Sequence, residues 1–154
     1  MKILMVCLGN ICRSPLAEGI LQHLALEHDL AWEVHSAGTL GYHTGNPPHP
    51  LSQKVATMNG IDISCQVARQ FVKEDFLNYD LIIPMAGDVE KDMKSIAGDS
   101  FDAGKVKLLL EWLHPGKNLD VPDPWYGTEE GYHEVYALIK RACLNLIKEY
   151  KQSA

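Results

Sequence analysis

Long apolar runs are missing from this sequence. The apolar stretch from Lys2 to Val6 is soon followed by Gly9 and Asn10, far short of the roughly 20 residues that a membrane-spanning helix needs. It is also too short for the apolar core of a secretory signal. We therefore expect no membrane insertion and a cytoplasmic location, where thiols stay reduced.

Cysteines are sparse, and basic residues are outnumbered by acidic ones. The four cysteines, Cys7, Cys12, Cys65 and Cys143, are too few for a disulfide framework in a chain of 154 residues. They form no Cys-x-x-Cys pair and the seven histidines are scattered, so we predict neither a metal site nor a cofactor. The formal net charge of −6 argues against a nucleic-acid binder, although a local loop can still attract an anion.

The chain does contain short apolar runs that alternate with amphipathic segments. The runs predict four strands, at KILMV, AWEVHSAG, YDLIIPM and KVKLLLEWL. Helical periodicity predicts helices between them and a last helix from Glu129 to Tyr150. This alternation is typical of an α/β fold, and we predict a single domain over residues 1–154. Its four-stranded parallel sheet would carry helices on both faces, with ligands bound at the carboxyl ends of the strands.

The first predicted strand ends in the sequence CLGNICRSP. A loop between a strand and a helix presents unpaired amides and the positive end of a helix dipole, which together bind phosphate-like anions. Gly9 allows close backbone approach, and Asn10 tolerates left-handed geometry. Five residues separate Cys7 from Arg13, whose planar guanidinium can bind two anion oxygens. The predicted phosphate-binding loop consists of Leu8, Gly9, Asn10, Ile11, Cys12, Arg13 and Ser14.

Cys7 would lie at the floor of this loop. The amides, the helix dipole and the guanidinium that attract phosphate also favour the thiolate, and a thiolate beneath a bound phosphorus can attack it in line. Ser14 could donate a hydrogen bond to the sulfur. Cysteines at strand ends are usually small core residues, and a lone Cys-x5-Arg pattern gives false positives. The strand–turn–helix context favours the catalytic interpretation.

A second loop, VPDPWYG, supplies a carboxylate. Asp123 stands between Pro122 and Pro124, which stiffen the chain and favour extended geometry. It could therefore be held over the phosphate-binding loop as the acid that protonates a leaving oxygen. The alternative is a solvated turn, because Asp and Pro are common turn formers. Aromatic residues that could flank a flat substrate form a candidate rim: Tyr42, Trp125 and Tyr126.

CLGNICRSP and DPWYG together closely resemble the low-molecular-weight protein tyrosine phosphatases, and the likeness covers essentially the whole chain, including GNPP and ARQF. The resemblance implies Cys7 as nucleophile, Arg13 as phosphate clamp and Asp123 as general acid, with Asn10 and Ser14 shaping the loop. It implies hydrolysis of phosphotyrosine and small aryl phosphates through a cysteinyl-phosphate, without a metal. It also implies phosphotyrosine-containing protein partners, such as a bacterial tyrosine kinase.

Three positions depart from the family pattern. Gln66 stands where members often have a histidine that braces the loop asparagine, and we expect Gln66 to take that place. Ala86 follows Met85 where many members have an aspartate, which puts that support in doubt. His49 follows Asn-Pro-Pro where an acidic residue is common. These changes could alter loop rigidity and substrate preference.

Two other functions stay open at this point. A thiol-dependent arsenate reductase on the same fold would need further cysteines to relay oxidation, and no closely spaced pair follows in the sequence. A phosphate-binding module without turnover would not need Cys7, Arg13 and Asp123 together. A redox role is a separate hypothesis: Cys12 could capture an oxidised Cys7 as a disulfide, unless Cys12 is merely a packed residue.

Overall fold

A three-stranded parallel sheet lies at the centre of the computed structural model, which describes residues 1–153. The first strand is the middle one and pairs with both others, and its last residue, Cys7, is in register with Gly38. Because the strands run parallel, their carboxyl ends meet at one edge of the sheet. The strands are β1 (Lys2–Cys7), β2 (Glu33–Gly38) and β3 (Leu81–Pro84).

The predicted fourth strand, KVKLLLEWL, is not formed within residues 1–153. Val106 makes only an isolated parallel bridge to Ile82, and the chain then enters a 3₁₀ helix over Leu109–Trp112. Leu109 and Leu110 in this helix are buried in the same cluster as the inner face of the last helix. The apolar run therefore reflects packing against that helix rather than pairing in the sheet.

Helices cover both faces of the sheet, as predicted. The side chains of β1 alternate between two buried clusters: Ile3 and Met5 pack with the first, second and last helices, whereas Leu4 and Val6 pack with the third and fourth. The helices are α1 (Arg13–Glu27), α2 (Pro50–Met58), α3 (Asp75–Asn78), α4 (Gly87–Ala97) and α5 (Glu129–Ser153). Shorter 3₁₀ helices span Gly98–Ser100, Ala103–Lys105, Leu109–Trp112 and Pro124–Tyr126.

The β1–α1 connection is short and lies against the end of β2. Gly38 makes this contact possible, because a Cβ atom there would lie 2.6 Å from the carbonyl oxygen of Leu8 and 3.0 Å from the amide nitrogen of Asn10. The backbone of the residues after Gly38 also bonds to the loop: Thr39 N donates to Cys7 O, and Leu40 N donates to Leu8 O. The fold thus presses the predicted phosphate-binding loop onto the carboxyl edge of the sheet.

Candidate active site

The phosphate-binding loop, residues 8–14, connects β1 to the first turn of α1. Residues 10–14 are all buried, and Asn10 has a φ of +58°, in the left-handed region that asparagine tolerates better than most residues. Because α1 begins at Arg13, the unpaired amides of its first turn add to those of the loop. The loop thus has the left-handed residue and the free amides that an anion-binding turn needs, and its binding of phosphate stays a prediction.

Asn10 holds this loop through its side chain. Its Nδ2 donates to Ser14 Oγ at 2.8 Å and to Ser36 Oγ at 2.9 Å, while its Oδ1 accepts from the Arg69 backbone N at 3.0 Å. Every hydrogen-bonding group of the amide has a partner. Asn10 therefore ties the loop to β2 and to the segment that precedes α3.

The thiol of Cys7 faces two polar groups of the loop. Its Sγ lies 3.0 Å from Ser14 Oγ and accepts from the Asn10 backbone N at 3.3 Å. Since Ser14 Oγ accepts one of the Asn10 amide protons, its own hydroxyl proton remains free to point at the sulfur. The sulfur of Cys7 can therefore accept hydrogen bonds from both groups.

Glu18 extends this network away from the cavity. Ser36 Oγ donates to Glu18 Oε1 at 2.6 Å. Burial raises the pKa of Glu18, and the Ser36 hydrogen bond and the charge of Arg69 only partly offset that rise. Glu18 is thus a half-buried acceptor at the end of a chain of hydrogen bonds that begins at Cys7.

Gln66 does not brace Asn10, contrary to our expectation. Its Nε2 donates to Pro15 O at 3.1 Å, and its Oε1 is buried without a hydrogen-bond partner among residues 1–153. Ser36 and the backbone of Arg69 hold Asn10 instead. The glutamine side chain therefore supports the start of α1 rather than the loop asparagine.

Arg13 and Asp123 approach each other across the cavity. Arg13 is 5% exposed; its Nη1 donates to Val121 O at 3.1 Å, and its Nη2 lies 3.7 Å from Asp123 Oδ2. Asp123 Oδ1 accepts from Trp125 N at 3.0 Å, at the start of a 3₁₀ helix. We call residues 120–127 the acid loop. Its carboxylate is brought beside the guanidinium although 110 positions separate the two residues in the sequence.

One cavity of about 180 Å³ brings the predicted catalytic residues together. Cys7 and Arg13 lie on its lining with Asp123, and all three predicted rim residues, Tyr42, Trp125 and Tyr126, contribute to its wall.

Sequence reasoning missed two lining residues, Leu40 and His43. The His43 ring lies edge-on to Tyr42, at 4.9 Å, and tilted to Trp125, at 5.7 Å. Its Cδ2 is 3.0 Å from the position of a Cβ atom on Gly9, so a glycine in the loop makes room for this ring. In the sequence, only the position of His43 next to Tyr42 indicated that it could line the cavity.

Cys12 lies on the loop but is packed into the core. Its Sγ is 3.7 Å from Tyr132 Oη, and its carbonyl oxygen accepts from Ser52 Oγ at 3.2 Å. Burial raises the pKa of the Cys12 thiol to about 12. Cys7 and Cys12 line the same cavity, and the redox role of this pair stays a prediction.

The other two departures from the family pattern lie near the acid loop. His49 caps α2, because its Nδ1 accepts from Leu51 N at 3.1 Å, and its ring stacks on Tyr132 at 5.2 Å and meets Trp125 edge-on at 5.4 Å. Burial lowers the pKa of His49. Ala86 occupies the N-cap position of α4 and offers no side-chain acceptor there.

Two kinds of feature are absent from residues 1–153. Within residues 1–153, no three or more His, Cys, Asp or Glu side chains are grouped so that they could hold a metal ion. Over the same residues, no helix is both long and apolar enough to cross a bilayer.

Comparison with known proteins identifies the family. The family model described as low molecular weight phosphotyrosine protein phosphatase matches residues 2–154. A relative named low molecular weight protein-tyrosine-phosphatase YfkJ, from Bacillus subtilis, is 38% identical over 148 residues, which cover 95% of this chain and 93% of that one. The chain belongs to the low-molecular-weight phosphotyrosine protein phosphatase family.

Solved structures resemble the whole chain. A protein tyrosine phosphatase from Entamoeba histolytica, with Hepes in its active site, superposes with a TM-score of 0.89 at 34% identity, over 99% of this chain and 98% of that one. The YwlE arginine phosphatase, solved with a phosphorylated active-site serine, also gives a TM-score of 0.89, at 27% identity over 98% of this chain and 96% of that one. The family fold thus carries more than one substrate class, and the residues of the site, not the fold, determine that class.

Proposed function

We propose that the chain hydrolyses phosphotyrosine and small aryl phosphates through a cysteinyl-phosphate intermediate, with Cys7, Arg13 and Asp123 as catalytic residues. The observation that carries this proposal is that these three side chains line one cavity beneath an aromatic rim. The phosphotyrosine of a substrate protein would enter between Tyr42 and Trp125, with its phosphate against the loop amides.

In the first step the Cys7 thiolate attacks phosphorus, forming the S–P bond as the P–O bond to the phenol breaks. Arg13 and the loop amides bind the three non-bridging oxygens, where charge develops. Asp123 gives its proton to the leaving phenolate. In the second step Asp123 accepts a proton from water, which attacks the cysteinyl-phosphate and releases phosphate and the thiolate.

Two features support phosphotyrosine over phosphoarginine as the substrate. The cavity wall is apolar and aromatic, with Leu8, Ile11 and Leu40 beside the rim, and such a wall suits a phenyl ring. Asp123 is the sole carboxylate among the cavity-lining residues. A guanidinium would therefore have one anionic partner, which our mechanism already assigns to proton transfer.

The alternatives are less well supported. An arsenate reductase needs accessible relay thiols near the site. Cys12 and Cys143 are buried, and burial raises the pKa of both thiols, while the exposed Cys65 lies outside the residues that line the cavity. A binding module without turnover would gain nothing from a carboxylate beside the guanidinium. We also propose that residues 1–154 form one phosphatase domain in the cytoplasm, acting on phosphotyrosine-containing proteins, with a bacterial tyrosine kinase as a candidate substrate.

Phosphate release from matched peptides that carry phosphotyrosine or phosphoarginine tests the proposal. We expect turnover of the phosphotyrosine peptide, slower turnover of the phosphoarginine peptide by at least about tenfold, and none with Cys7→Ser. Acid quenching during turnover should trap phosphate on wild-type protein. Substantial activity of Cys7→Ser would overturn the covalent mechanism, and a faster phosphoarginine reaction would overturn the substrate class.

A further inference from the structure

The first amide of α4 is capped by a residue from the acid loop. Ala86, at the N-cap position, has extended backbone angles (φ −154°, ψ 161°) and no side-chain acceptor. Gly87 N instead donates to Asp120 Oδ1 at 2.9 Å, across 33 positions of the sequence. A charged acceptor at a helix N-terminus is favoured by the helix dipole. Asp120 thus occupies a place that residues close to a helix start usually fill.

The same stretch is fixed by two further hydrogen bonds. Val121 N donates to Met85 O at 2.8 Å, and Val121 O accepts from Arg13 Nη1 at 3.1 Å. Val121 is itself buried. The acid loop is therefore anchored at its start to the end of β3, the strand that pairs directly with the strand of Cys7.

Asp123 has few contacts of its own. Its carboxylate accepts one hydrogen bond from within the loop, from Trp125 N, and otherwise lies 3.7 Å from Arg13. Its side chain is 39% exposed. The position of this carboxylate over the cavity therefore depends on how firmly the preceding residues are held.

We propose that Asp120 is a positioning residue for the general acid. By accepting a hydrogen bond from the first amide of α4, it holds the acid loop in the position from which Asp123 can reach the leaving oxygen. This inference rests on the proposed role of Asp123. The bond depends on an acceptor at position 120, so an asparagine there should preserve it. Asp88 and Glu90 already place negative charge in the first turn of α4, so the helix does not depend on Asp120 for charge.

The test compares Asp120→Ala, Asp120→Asn and a matched control, Asp102→Ala. Asp102 Oδ1 also accepts from a glycine amide, Gly104 N, at 2.9 Å, but it caps a 3₁₀ helix outside the residues that line the cavity. The readout is the burst of phenol release from aryl phosphates whose phenols differ in pKa. A displaced acid matters most for phenols that leave poorly without a proton.

We expect Asp120→Ala to lose about five- to tenfold in burst rate with the least acidic phenols and less than about twofold with the most acidic. Asp120→Asn and Asp102→Ala should behave as wild type. The double variant Asp120→Ala/Asp123→Ala should be no slower than Asp123→Ala alone, because Asp120 acts through Asp123.

Three results separate the possible failures. If Asp123→Ala shows the leaving-group effect but Asp120→Ala does not, the positioning role is wrong and the proposed mechanism stands. If Asp123→Ala itself shows no such effect, the general-acid assignment fails, and the positioning role falls with it. An equal loss by Asp120→Ala with all phenols would reduce Asp120 to a helix cap.

Discussion

The phosphate-binding loop and the acid loop face the same cavity, but the protein holds them in different ways. Every residue from 10 to 14 is buried, whereas only Val121 and Pro124 are buried among residues 120–127. Asn10 alone makes three side-chain hydrogen bonds, all buried or half-buried. Asp123 makes one, exposed and within its own loop.

The difference corresponds to what each loop must do. Stabilising a transferring phosphoryl group requires donors that are already aimed before the substrate arrives, so that they need not reorganise during the reaction. The loop that carries a general acid must leave room for a bulky phenol, and the acid itself needs to reach only one oxygen. We therefore expect damage to the phosphate-binding loop to affect folding and chemistry together, and damage to the acid loop to affect mainly proton transfer.

The largest expected effect is that of Asn10→Ala. The substitution leaves the Arg69 amide without a partner, removes one donor to Ser36 Oγ, which keeps its bond to Glu18, and places alanine at a left-handed φ. An unsatisfied buried group costs about 1 to 3 kcal/mol and left-handed strain about 1 kcal/mol, so we expect a loss of about 2 to 4 kcal/mol in the free energy of unfolding. Because Ser14 also loses its donor, the rate of phosphoryl transfer should fall at least about 100-fold. Urea unfolding and burst kinetics measure the two losses.

Asn118→Ala is the control for backbone strain. Asn118 also has a left-handed φ, of +51°, but it is exposed and lies outside the cavity lining. Alanine there should cost only about 1 kcal/mol, the strain of a left-handed residue with a Cβ atom, and leave kinetics unchanged. Equal destabilisation by the two variants would mean that the Asn10 network adds nothing.

An effect on the rate alone, without the loss of stability, is expected for Asp123→Ala. General acid assistance is typically worth about 10² to 10⁴ in rate when the leaving group has a pKa near 10. The burst rate should therefore depend more steeply on phenol pKa in the variant than in wild type, while the free energy of unfolding changes little. Steady-state rates are less suitable, because Asp123 also acts as the base in hydrolysis of the cysteinyl-phosphate. Its loss would slow that step equally for every substrate. An unchanged dependence on phenol pKa would remove Asp123 as the acid.

The same contrast explains which features the sequence could reveal. The phosphate-binding loop is one contiguous segment, so its spacing of cysteine, glycine, asparagine and arginine is visible directly. The Asp-Pro pair and the neighbouring aromatics marked the acid loop, and alternating apolar runs marked the α/β fold. Tertiary structure alone brings Ser36, Gly38 and Arg69 to the loop, from segments that carry no catalytic pattern.

Two errors have physical causes that sequence periodicity cannot resolve. The run KVKLLLEWL is apolar because Leu109 and Leu110 pack in the α5 cluster, and a short buried 3₁₀ helix has the same composition as a buried strand. Gln66 was assigned by analogy to the loop asparagine, but its amide reaches Pro15 O instead. A side chain's position in a motif does not fix which of several nearby acceptors it binds.

The smallest expected effect concerns the far end of the phosphate-loop network. Because burial raises the pKa of Glu18, its protonated form is favoured in the folded state more than in the unfolded state. Its contribution to stability is therefore full below the unfolded pKa, near 4.3, and is lost as pH rises through the higher folded pKa. Glutamine does not titrate but keeps an acceptor for Ser36. Glu18→Gln should thus gain stability relative to wild type as pH rises across this window, with little change in burst rate.

The matched control is Glu130→Gln, which alters an exposed carboxylate in the first turn of α5. Urea unfolding of the three proteins at several pH values between about 4 and 8 measures the difference. The free energy of unfolding of Glu18→Gln minus that of wild type should rise with pH, while the same difference for Glu130→Gln should not. If this difference for Glu18→Gln instead falls as pH rises, Glu18 is stabilised as the carboxylate. The Ser36 hydroxyl and the Arg69 charge would then favour the carboxylate more strongly than burial opposes it. The phosphate-binding loop would then be anchored by an ionised group after all, and Glu18→Gln should in that case slow phosphoryl transfer as well.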